Sequence, residues 1–259
     1  MRILVTFALP AEFTAWRRRH KFSRVPGLPT ALDFGRCPMF QTRCGDAEVL
    51  VVLTGVGPVR ARRAARYALQ SAPDVCISSG LAGAAKEIYK RGEVLAAAHV
   101  AETRGKRVFS CHVPLVERAV ACGARLVDRF ITSPNVVVSA VAKQALGVMG
   151  DAVEMESSGV LAAAHAANVP AAAIRVVSDD SGQDLPIDFN RVLNAKGAVR
   201  PVRLLSSIAA EPASLRGLLQ LAGDSRRASA ALADFLDQYV VSLAAQKDRV
   251  LAVAGAVDA

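Results

Sequence analysis

Short apolar segments rich in β-branched residues alternate along this chain with alanine-rich segments of helical length. The apolar segments predict strands at 2–7, 48–53, 74–79, 93–100, 129–132, 151–154 and 171–178. The alanine-rich segments predict helices at 10–19, 58–71, 114–123, 139–147 and 155–168. Because strands separated by helices pair in parallel and bury both faces, we predict a single-domain α/β fold of three layers, with a central mixed, largely parallel twisted sheet flanked by helices. Ligands of such folds bind at the carboxyl ends of the strands.

The 259 residues are enough for one large core, and we predict one domain over 1–246. Within that domain, 191–246 is interpreted as a helical C-terminal extension. Its final helix is predicted to begin at an N-cap formed by Asp224 or Ser225. The last residues, 247–259, are small and are predicted to form a frayed tail.

Composition argues against a membrane span and a metal site. Hydrophobic residues make up 52% of the chain, yet no apolar run reaches the roughly 18 to 20 residues that cross a bilayer. Glu12 interrupts the first apolar run before any signal-peptide cleavage site, so we expect a cytoplasmic protein. The five cysteines and four histidines show no metal-ligand spacing, so neither a metal nor another cofactor is expected.

The formal net charge of +9 comes from separate basic clusters, while aromatic residues make up only 5% of the chain. Platforms that bind single-stranded nucleic acid combine basic and aromatic side chains, so these clusters are interpreted as solvated helix faces and no nucleic-acid partner is expected. A basic surface nevertheless favours anionic ligands, phosphate among them, or peripheral contact with an anionic membrane.

Glycine-rich segments follow two of the predicted strands. Gly55-Val56-Gly57 lacks the third glycine of a dinucleotide fingerprint and is interpreted as a tight strand-to-helix turn. Gly80-Leu81-Ala82-Gly83 follows a buried strand, and its glycines would let backbone N–H groups approach a sugar or an anion. Gly80, Leu81 and Ala82 are therefore candidate substrate-binding residues.

Carboxylates end two further predicted strands. Glu154, Met155 and Glu156 lie where an apolar strand turns into an alanine-rich helix, and glutamate is rarely buried without a partner. A first-turn glutamate also favours the helix dipole, so this segment alone supports binding and helix capping equally. Arg175 and Asp179, on a strand predicted to be buried, shift the interpretation towards a binding or catalytic site.

Five segments together resemble the purine nucleoside phosphorylase and nucleosidase superfamily in their order and spacing: MRILVTFALPAEF, TGVG before an Arg/Ala helix, PDVCISSGLAG, VEMES and RVVSD. The resemblance covers residues 1–180. It is greatest to the branch of methylthioadenosine/S-adenosylhomocysteine nucleosidases and hopanoid-associated (adenosylhopane) nucleosidases or phosphorylases. It implies cleavage of the N-glycosidic bond of a purine nucleoside, and we also expect a homo-oligomer, with a dimer favoured.

For the leaving group and the nucleophile, the resemblance implies three catalytic residues. Glu12 matches the carboxylate that activates the attacking water. Asp179 matches the acid that protonates purine N7, with Ser178 beside it and Arg175 in support. This role requires a protonated Asp179, which burial or a neighbouring carboxylate such as Asp180 would favour.

For the sugar, the resemblance implies that Met155 and Glu156 form the pair that lies under the ribose and binds its 2′- and 3′-hydroxyls. Glu154 matches a second carboxylate near the sugar. Carboxylates at these positions would stabilise the positive charge that develops on the ribose as the glycosidic bond breaks.

Three positions depart from the family pattern. Leu81 replaces a serine of the nucleosidases, and Val136 and Val137 replace an aromatic residue and an isoleucine around the base, so base stacking is weaker or differently supplied. The segment 181–245 resembles the tail of hopanoid-associated members and implies a bulky apolar 5′ substituent. Leucines within 202–222 are candidates for the wall of a 5′ channel, with packing on the core or a subunit contact as the alternative.

We therefore expect hydrolysis of a purine nucleoside, with adenine preferred, and a link to hopanoid biosynthesis. A phosphate-dependent phosphorylase is the alternative: Arg60 and Arg62 could reach an anion, although Glu12 would repel a phosphate dianion. A non-catalytic nucleoside-binding module is the second alternative. The joint presence of Glu12, Glu156 and Asp179 argues against it, because binding alone requires neither a general acid nor a base.

Overall fold

Eleven strands and eight α-helices are present in the part of the chain that the structure describes. The structure is a computed structural model, and it describes residues 1–25, 37–105, 107–192 and 214–251. The strands are β1 (Arg2–Phe7), β2 (Ser23–Val25), β3 (Met39–Cys44), β4 (Ala47–Leu53), β5 (Val75–Ser78), β6 (Leu81–Ala84), β7 (Val94–Glu102), β8 (Val108–Ser110), β9 (Arg125–Thr132), β10 (Ala152–Glu154) and β11 (Ala171–Asp179). The helices are α1 (Pro10–Arg17), α2 (Pro58–Ala68), α3 (Val113–Ala121), α4 (Ala140–Leu146), α5 (Ser157–Ala166), α6 (Phe189–Val192), α7 (Ser214–Ala245) and α8 (Lys247–Leu251).

All these strands belong to one mixed sheet, in the order β2-β3-β4-β1-β5-β11-β6-β10-β9-β7-β8. Parallel pairs connect β4-β1-β5-β11-β6 and β10-β9-β7, and the other pairs are antiparallel. Since β11 also pairs with β7, the strands β11, β6, β10, β9 and β7 close into a ring. The predicted single-domain α/β fold with a mixed sheet flanked by helices is confirmed.

Two central strands set the position of the functional residues. Every residue of β11 is buried, and so is every residue of β1 after Arg2, which is why both segments are near-continuous apolar runs in the sequence. Both strands are parallel to β5 and pair with it. Their carboxyl ends therefore lie at the same edge of the sheet, and this places α1 with Glu12 near Asp179.

Strands β2, β3, β6 and β8 were not predicted from the sequence. Strand β3 pairs with β4 as a hairpin. Its three consecutive polar residues, Gln41, Thr42 and Arg43, interrupt the apolar pattern that predicts a strand. The glycine-rich segment that contains β6, predicted only to approach a sugar or an anion, is a strand between β11 and β10. Small residues have little intrinsic strand preference, but pairing on both edges outweighs that preference here.

The long C-terminal helix α7 corrects the predicted helix start. It begins at Ser214, so neither Asp224 nor Ser225 is its N-cap. Asp224 lies within the helix and is buried, and its carboxylate binds the guanidinium groups of Arg91 and Arg227. A sequence pattern cannot distinguish an aspartate that caps a helix from one that binds an arginine far away in the chain, as Asp224 binds Arg91.

The predicted frayed tail is also wrong at its start, because 247–251 form α8 and Val250 is buried. Residues 193–213 and 252–259, which include part of the predicted C-terminal extension and tail, lie outside the described residues. No described helix combines the length and the apolar character needed to span a bilayer.

Helices α2 and α5 pack closely together at Gly159. A Cβ atom added there would lie 2.0 Å from the carbonyl oxygen of Pro58 and 3.0 Å from the backbone nitrogen of Arg62. Since α2 starts directly after Gly57 and α5 directly after Glu156, this contact sets the distance between two segments of the site described below.

Replacing Gly159 by alanine should lower the free energy of unfolding by about 3 kcal/mol, because the added methyl group would push two backbones apart. Gly223, inside α7, is the matched control: a Cβ there meets no atom within 4 Å, so Gly223→Ala should raise stability by about 0.5–1 kcal/mol through helix propensity. Urea unfolding of both variants measures the difference. A Gly159→Ala protein as stable as the wild type would contradict this packing.

Candidate active site

A pocket of about 290 Å³ lies at the ends of β1, β10 and β11. Among the sequence-predicted site residues, only Gly80 and Arg175 are absent from its lining. The lining is mostly apolar, with a few polar and charged side chains among Ala8, Leu9, Glu12, Val56, Leu81, Ala82, Gly83, Asn135, Val136, Val137, Lys143, Val153, Glu154, Met155, Glu156, Ser178, Asp179, Leu185 and Phe189. No three His, Cys, Asp or Glu side chains of the described residues are grouped so that they could hold a metal ion.

Glu12 is buried in the first turn of α1, and both of its carboxylate oxygens accept backbone hydrogen bonds. Leu9 N donates to Oε2 at 2.9 Å, and Leu81 N donates to Oε1 at 3.2 Å. Burial raises the pKa of Glu12, although these hydrogen bonds and the charge of Arg175 partly oppose the shift. Glu12 is thus a fixed carboxylate that takes up a proton more readily than an exposed glutamate.

Gly80 contributes space to the site. Its φ is +146°, and a Cβ atom added to it would lie 2.9 Å from Glu12 Oε1. A side chain at Gly80 would therefore be strained and would displace the Glu12 carboxylate. Gly80 itself is not among the residues that line the pocket, and its predicted substrate-binding role stays a prediction.

A buried ion pair joins Glu154 to Arg175 beneath the pocket. Arg175 Nη2 lies 2.6 Å from Glu154 Oε2 and 3.2 Å from Ser78 Oγ. The other Glu154 oxygen accepts the hydroxyl of Thr132, and Oε2 also accepts two backbone N–H groups at the start of α5. With side-chain exposures of 0% for Glu154 and 1% for Arg175, both residues act as internal supports. Glu154 is also among the residues that line the pocket, and its predicted position near the sugar stays a prediction.

Glu156 precedes α5 and points towards the turn before α2. Gly57 N donates to Glu156 Oε1 at 2.9 Å, while Oε2 lies 4.0 Å from Arg175 Nη2. Burial and the charges of Glu154 and Glu12 raise the pKa of Glu156 to about 8, although Arg175 and the Gly57 N–H act in the opposite direction. The predicted tight turn at Gly55–Gly57 is confirmed, since it connects β4 to α2, and it also anchors a carboxylate, which the sequence did not indicate.

Asp179 ends β11 with both carboxylate oxygens engaged. Ser178 Oγ lies 2.7 Å from Oδ1, and the ammonium group of Lys143 binds Oδ2. Asp180, the candidate neighbour in the sequence, instead forms an ion pair with Arg91 at 2.7 Å. The neighbour of Asp179 is therefore a buried lysine 36 residues earlier, and its position in an alanine-rich helix gave no signal of this role.

Phe189 is a second residue that sequence reasoning missed. It lines the pocket together with Val136 and thus supplies an aromatic side chain that the two valines cannot. The next residue, Asn190, accepts from Val136 N and donates to Val136 O, each at 2.9 Å, which fixes α6 against this side of the pocket. Phe189 lies within 181–245, whose family resemblance predicts an apolar 5′ substituent but indicates no individual aromatic residue.

The two buried glutamates next to Met155 should respond to amide substitution in opposite directions. Glu154→Gln leaves the Arg175 guanidinium buried without its carboxylate and should lower the free energy of unfolding by about 3–5 kcal/mol. Glu156 has its pKa raised from 4.5 to about 8, so folding favours its protonated form. Its contribution to stability is present below pH 4.5 and is lost as the pH rises through about 8.

The Glu156→Gln variant has no carboxyl group to ionise at this position, so it does not lose stability as the pH rises through about 8. It should be more stable than the wild type above pH 8 and about equally stable below pH 4.5. Denaturant titrations of both variants across this pH range provide the measurement. Equal destabilisation by both substitutions at high pH would show that the two carboxylates are not held as described.

Comparison with known proteins places the chain in a family. A model described as the phosphorylase superfamily matches residues 2–210. Over 199 residues the chain is 26% identical to the 5′-methylthioadenosine/S-adenosylhomocysteine nucleosidase of Aeromonas salmonicida (strain A449), covering 65% of this chain and 84% of that protein.

Similar solved structures include the nucleosidase of that name from Helicobacter pylori with butyl-thio-DADMe-Immucillin-A (TM-score 0.71, 15% identity, covering 93% and 98% of the two chains). Another is its namesake from Neisseria meningitidis with methylthio-immucillin-A (TM-score 0.69, 18% identity, 93% and 99%). A futalosine hydrolase mutant of Helicobacter pylori strain 26695 has a TM-score of 0.68 at 15% identity, covering 93% and 99%. Since the family model spans most of the sequence, the chain belongs to the phosphorylase superfamily.

Proposed function

We propose that this protein hydrolyses the N-glycosidic bond of a purine nucleoside, with adenine as the preferred base. The observation that carries the proposal is the meeting of Glu12 from α1, Glu156 from the residue before α5, and Asp179 from the end of β11 in one pocket. The relative from Aeromonas salmonicida, named as a nucleosidase of 5′-methylthioadenosine and S-adenosylhomocysteine, supports both the reaction and the base.

At the sugar, Glu156 accepts hydrogen bonds from the 2′- and 3′-hydroxyls, and Met155 lies beneath the ring. The oxygen of a water molecule bonds to C1′, and the Glu12 carboxylate accepts the proton that this water molecule loses. As the C1′–N9 bond breaks, positive charge develops on the ribose, and the nearby carboxylates stabilise it. The raised pKa of Glu12 suits a group that must accept a proton near neutral pH.

At the base, Asp179 donates its proton to N7. The electron pair of the breaking C1′–N9 bond passes to the purine, which would be a poor leaving group as an anion. Protonation at N7 lets it depart as the neutral base, and general acid catalysis of this kind contributes about 10²–10⁴ in rate.

Hydrolysis is favoured over phosphorolysis by the charge of the pocket. Its described lining carries four carboxylates, those of Glu12, Glu154, Glu156 and Asp179, and no arginine. Its lysine, Lys143, is bound to Asp179, and carboxylates repel a phosphate dianion. One observation keeps phosphorolysis as the second candidate: Arg60 Nη1 would lie 3.1 Å from a Cβ at Gly55, so this guanidinium lies beside the turn that anchors Glu156. A role limited to nucleoside binding leaves the fixed Glu12 and Asp179 carboxylates without a purpose.

The nucleoside is proposed to carry an apolar 5′ substituent. Leu9, Val56, Leu185 and Phe189 give the pocket an apolar wall, and Phe189 also offers an aromatic face to the base. The likeness of 181–245 to hopanoid-associated members supports a hopanoid as this substituent and a place in hopanoid biosynthesis.

A contribution of 202–222 to the 5′ wall has less support. No residue of α7 is among the described lining residues, and Leu215 and Leu219 are exposed. Residues 202–213 lie outside the described part. A cytoplasmic location, a homodimer and peripheral membrane contact remain predictions from the sequence.

The reaction is tested by incubating the protein with adenosine, methylthioadenosine, inosine and a 5′-alkyl adenosine, with and without phosphate. We expect free base and free ribose product at the same rate in both buffers, with adenine nucleosides preferred.

Asp179→Asn should lower kcat by about 10²–10⁴ in protein whose circular dichroism remains native. A ribose 1-phosphate product would identify a phosphorylase, and near-normal base release by Asp179→Asn would remove the general-acid assignment.

Extending a 5′-alkylthio chain should raise kcat/KM about fourfold per CH₂, the equivalent of about 0.8 kcal/mol of burial. Phe189→Ala should flatten this dependence. Leu219→Ala, at an exposed position of α7, is the matched control and should leave it unchanged. A chain-length series without slope in the wild type would refute the apolar 5′ site, and a flattened slope in Leu219→Ala would assign α7 to its wall.

A further inference from the structure

Lys143 is a buried ammonium group at the wall of the pocket. Its side chain is 2% exposed, and Nζ binds three acceptors: Asp179 Oδ2, Gln183 O at 2.9 Å and Asp180 O at 3.3 Å. A lysine has three N–H donors, so each donor has a partner within the protein. Lysines are almost never fully buried unless they are paired, which sets this residue apart from the many solvated cations of the chain.

The fold presents Lys143 to Asp179 through a specific docking of α4. Ser139 caps the helix by accepting from Ala142 N. The amide of Ala140, in the first turn, donates to Asp184 Oδ1 at 2.6 Å, and Leu185 N donates to Val138 O at 2.8 Å. These bonds fix α4 against the segment that follows β11, and Lys143 extends from the helix to the end of that strand.

We infer that Lys143 is a positioning residue for the general acid, an inference that rests on the proposed function. Lys143 holds Oδ2 while Ser178 contacts Oδ1, so the orientation of the Asp179 carboxyl group in the pocket is fixed. When the Asp179 O–H bond breaks and the N7–H bond forms, Asp179 becomes a carboxylate that faces the ammonium group. Relative to the protonated acid, the ammonium group stabilises the carboxylate that remains once the proton has been transferred.

An interaction of this kind should affect only leaving groups that need a proton. Lys143→Met keeps the length and the apolar stem but removes the charge. We expect kcat for purine nucleosides to fall about 100-fold, with KM changed less than about threefold. Turnover of 4-nitrophenyl riboside, whose leaving group needs no protonation, should stay within about threefold of wild type. Lys86→Met, which breaks another lysine–aspartate pair away from the pocket, should leave both substrates unaffected.

A double-mutant cycle provides the second measurement. If Lys143 acts through Asp179, the variant that carries Asp179→Asn together with Lys143→Met should be no slower on purine nucleosides than Asp179→Asn alone. The double variant also removes both members of the buried pair, so it does not leave an unpaired charge that could prevent folding.

Three outcomes would overturn the inference: wild-type purine turnover by Lys143→Met, equal losses on both substrates in folded protein, or additive losses in the double variant. A wild-type protein that releases no purine from any nucleoside would overturn the proposed function and this inference with it. Purine release by the wild type together with any of the three outcomes would overturn the role of Lys143 alone.

Discussion

The buried ion pair between Arg175 and Glu154 is the interaction on which the rest of the site depends. Glu154 accepts the backbone N–H groups of Glu156 and Ser157, so the pair fixes the start of α5 and the direction in which Glu156 points. Arg175 also supplies the positive charge that faces a cluster of three glutamates. Without it, the buried carboxylates would repel one another in a medium of low dielectric constant.

In this arrangement the ionised forms of Glu12 and Glu156 are disfavoured by the folded protein. Both carboxyl groups have raised pKa values because they are buried, and Glu156 is raised further by its glutamate neighbours. A raised pKa means that the ionised form is less stable in the folded protein than in water. Titratable groups of this kind are frequent at catalytic sites, where stability is given up for reactivity.

The sequence predicted those parts of the fold and site that depend on local patterns. Buried parallel strands read as apolar runs, so β1 and β11 were found, and Glu12, Glu156 and Asp179 could be placed at the ends of strands. Lys143 could not be found, because its partner lies 36 residues away and its helix resembles any alanine-rich surface helix. The strand β6 was missed for a similar reason, since its neighbours β10 and β11 come much later in the chain.

The connection between α7 and the active site also depends on a contact between residues that are distant in the sequence. Asp224 has the residue type of an N-cap, yet in the folded chain it binds Arg91, and Arg91 also binds the carboxylate of Asp180. Asp180 directly follows Asp179, so a single guanidinium joins the C-terminal helix to the strand end that carries the proposed general acid. The described part of α7 therefore acts on the pocket indirectly, by fixing the backbone next to Asp179, although none of its residues is among those that line the pocket.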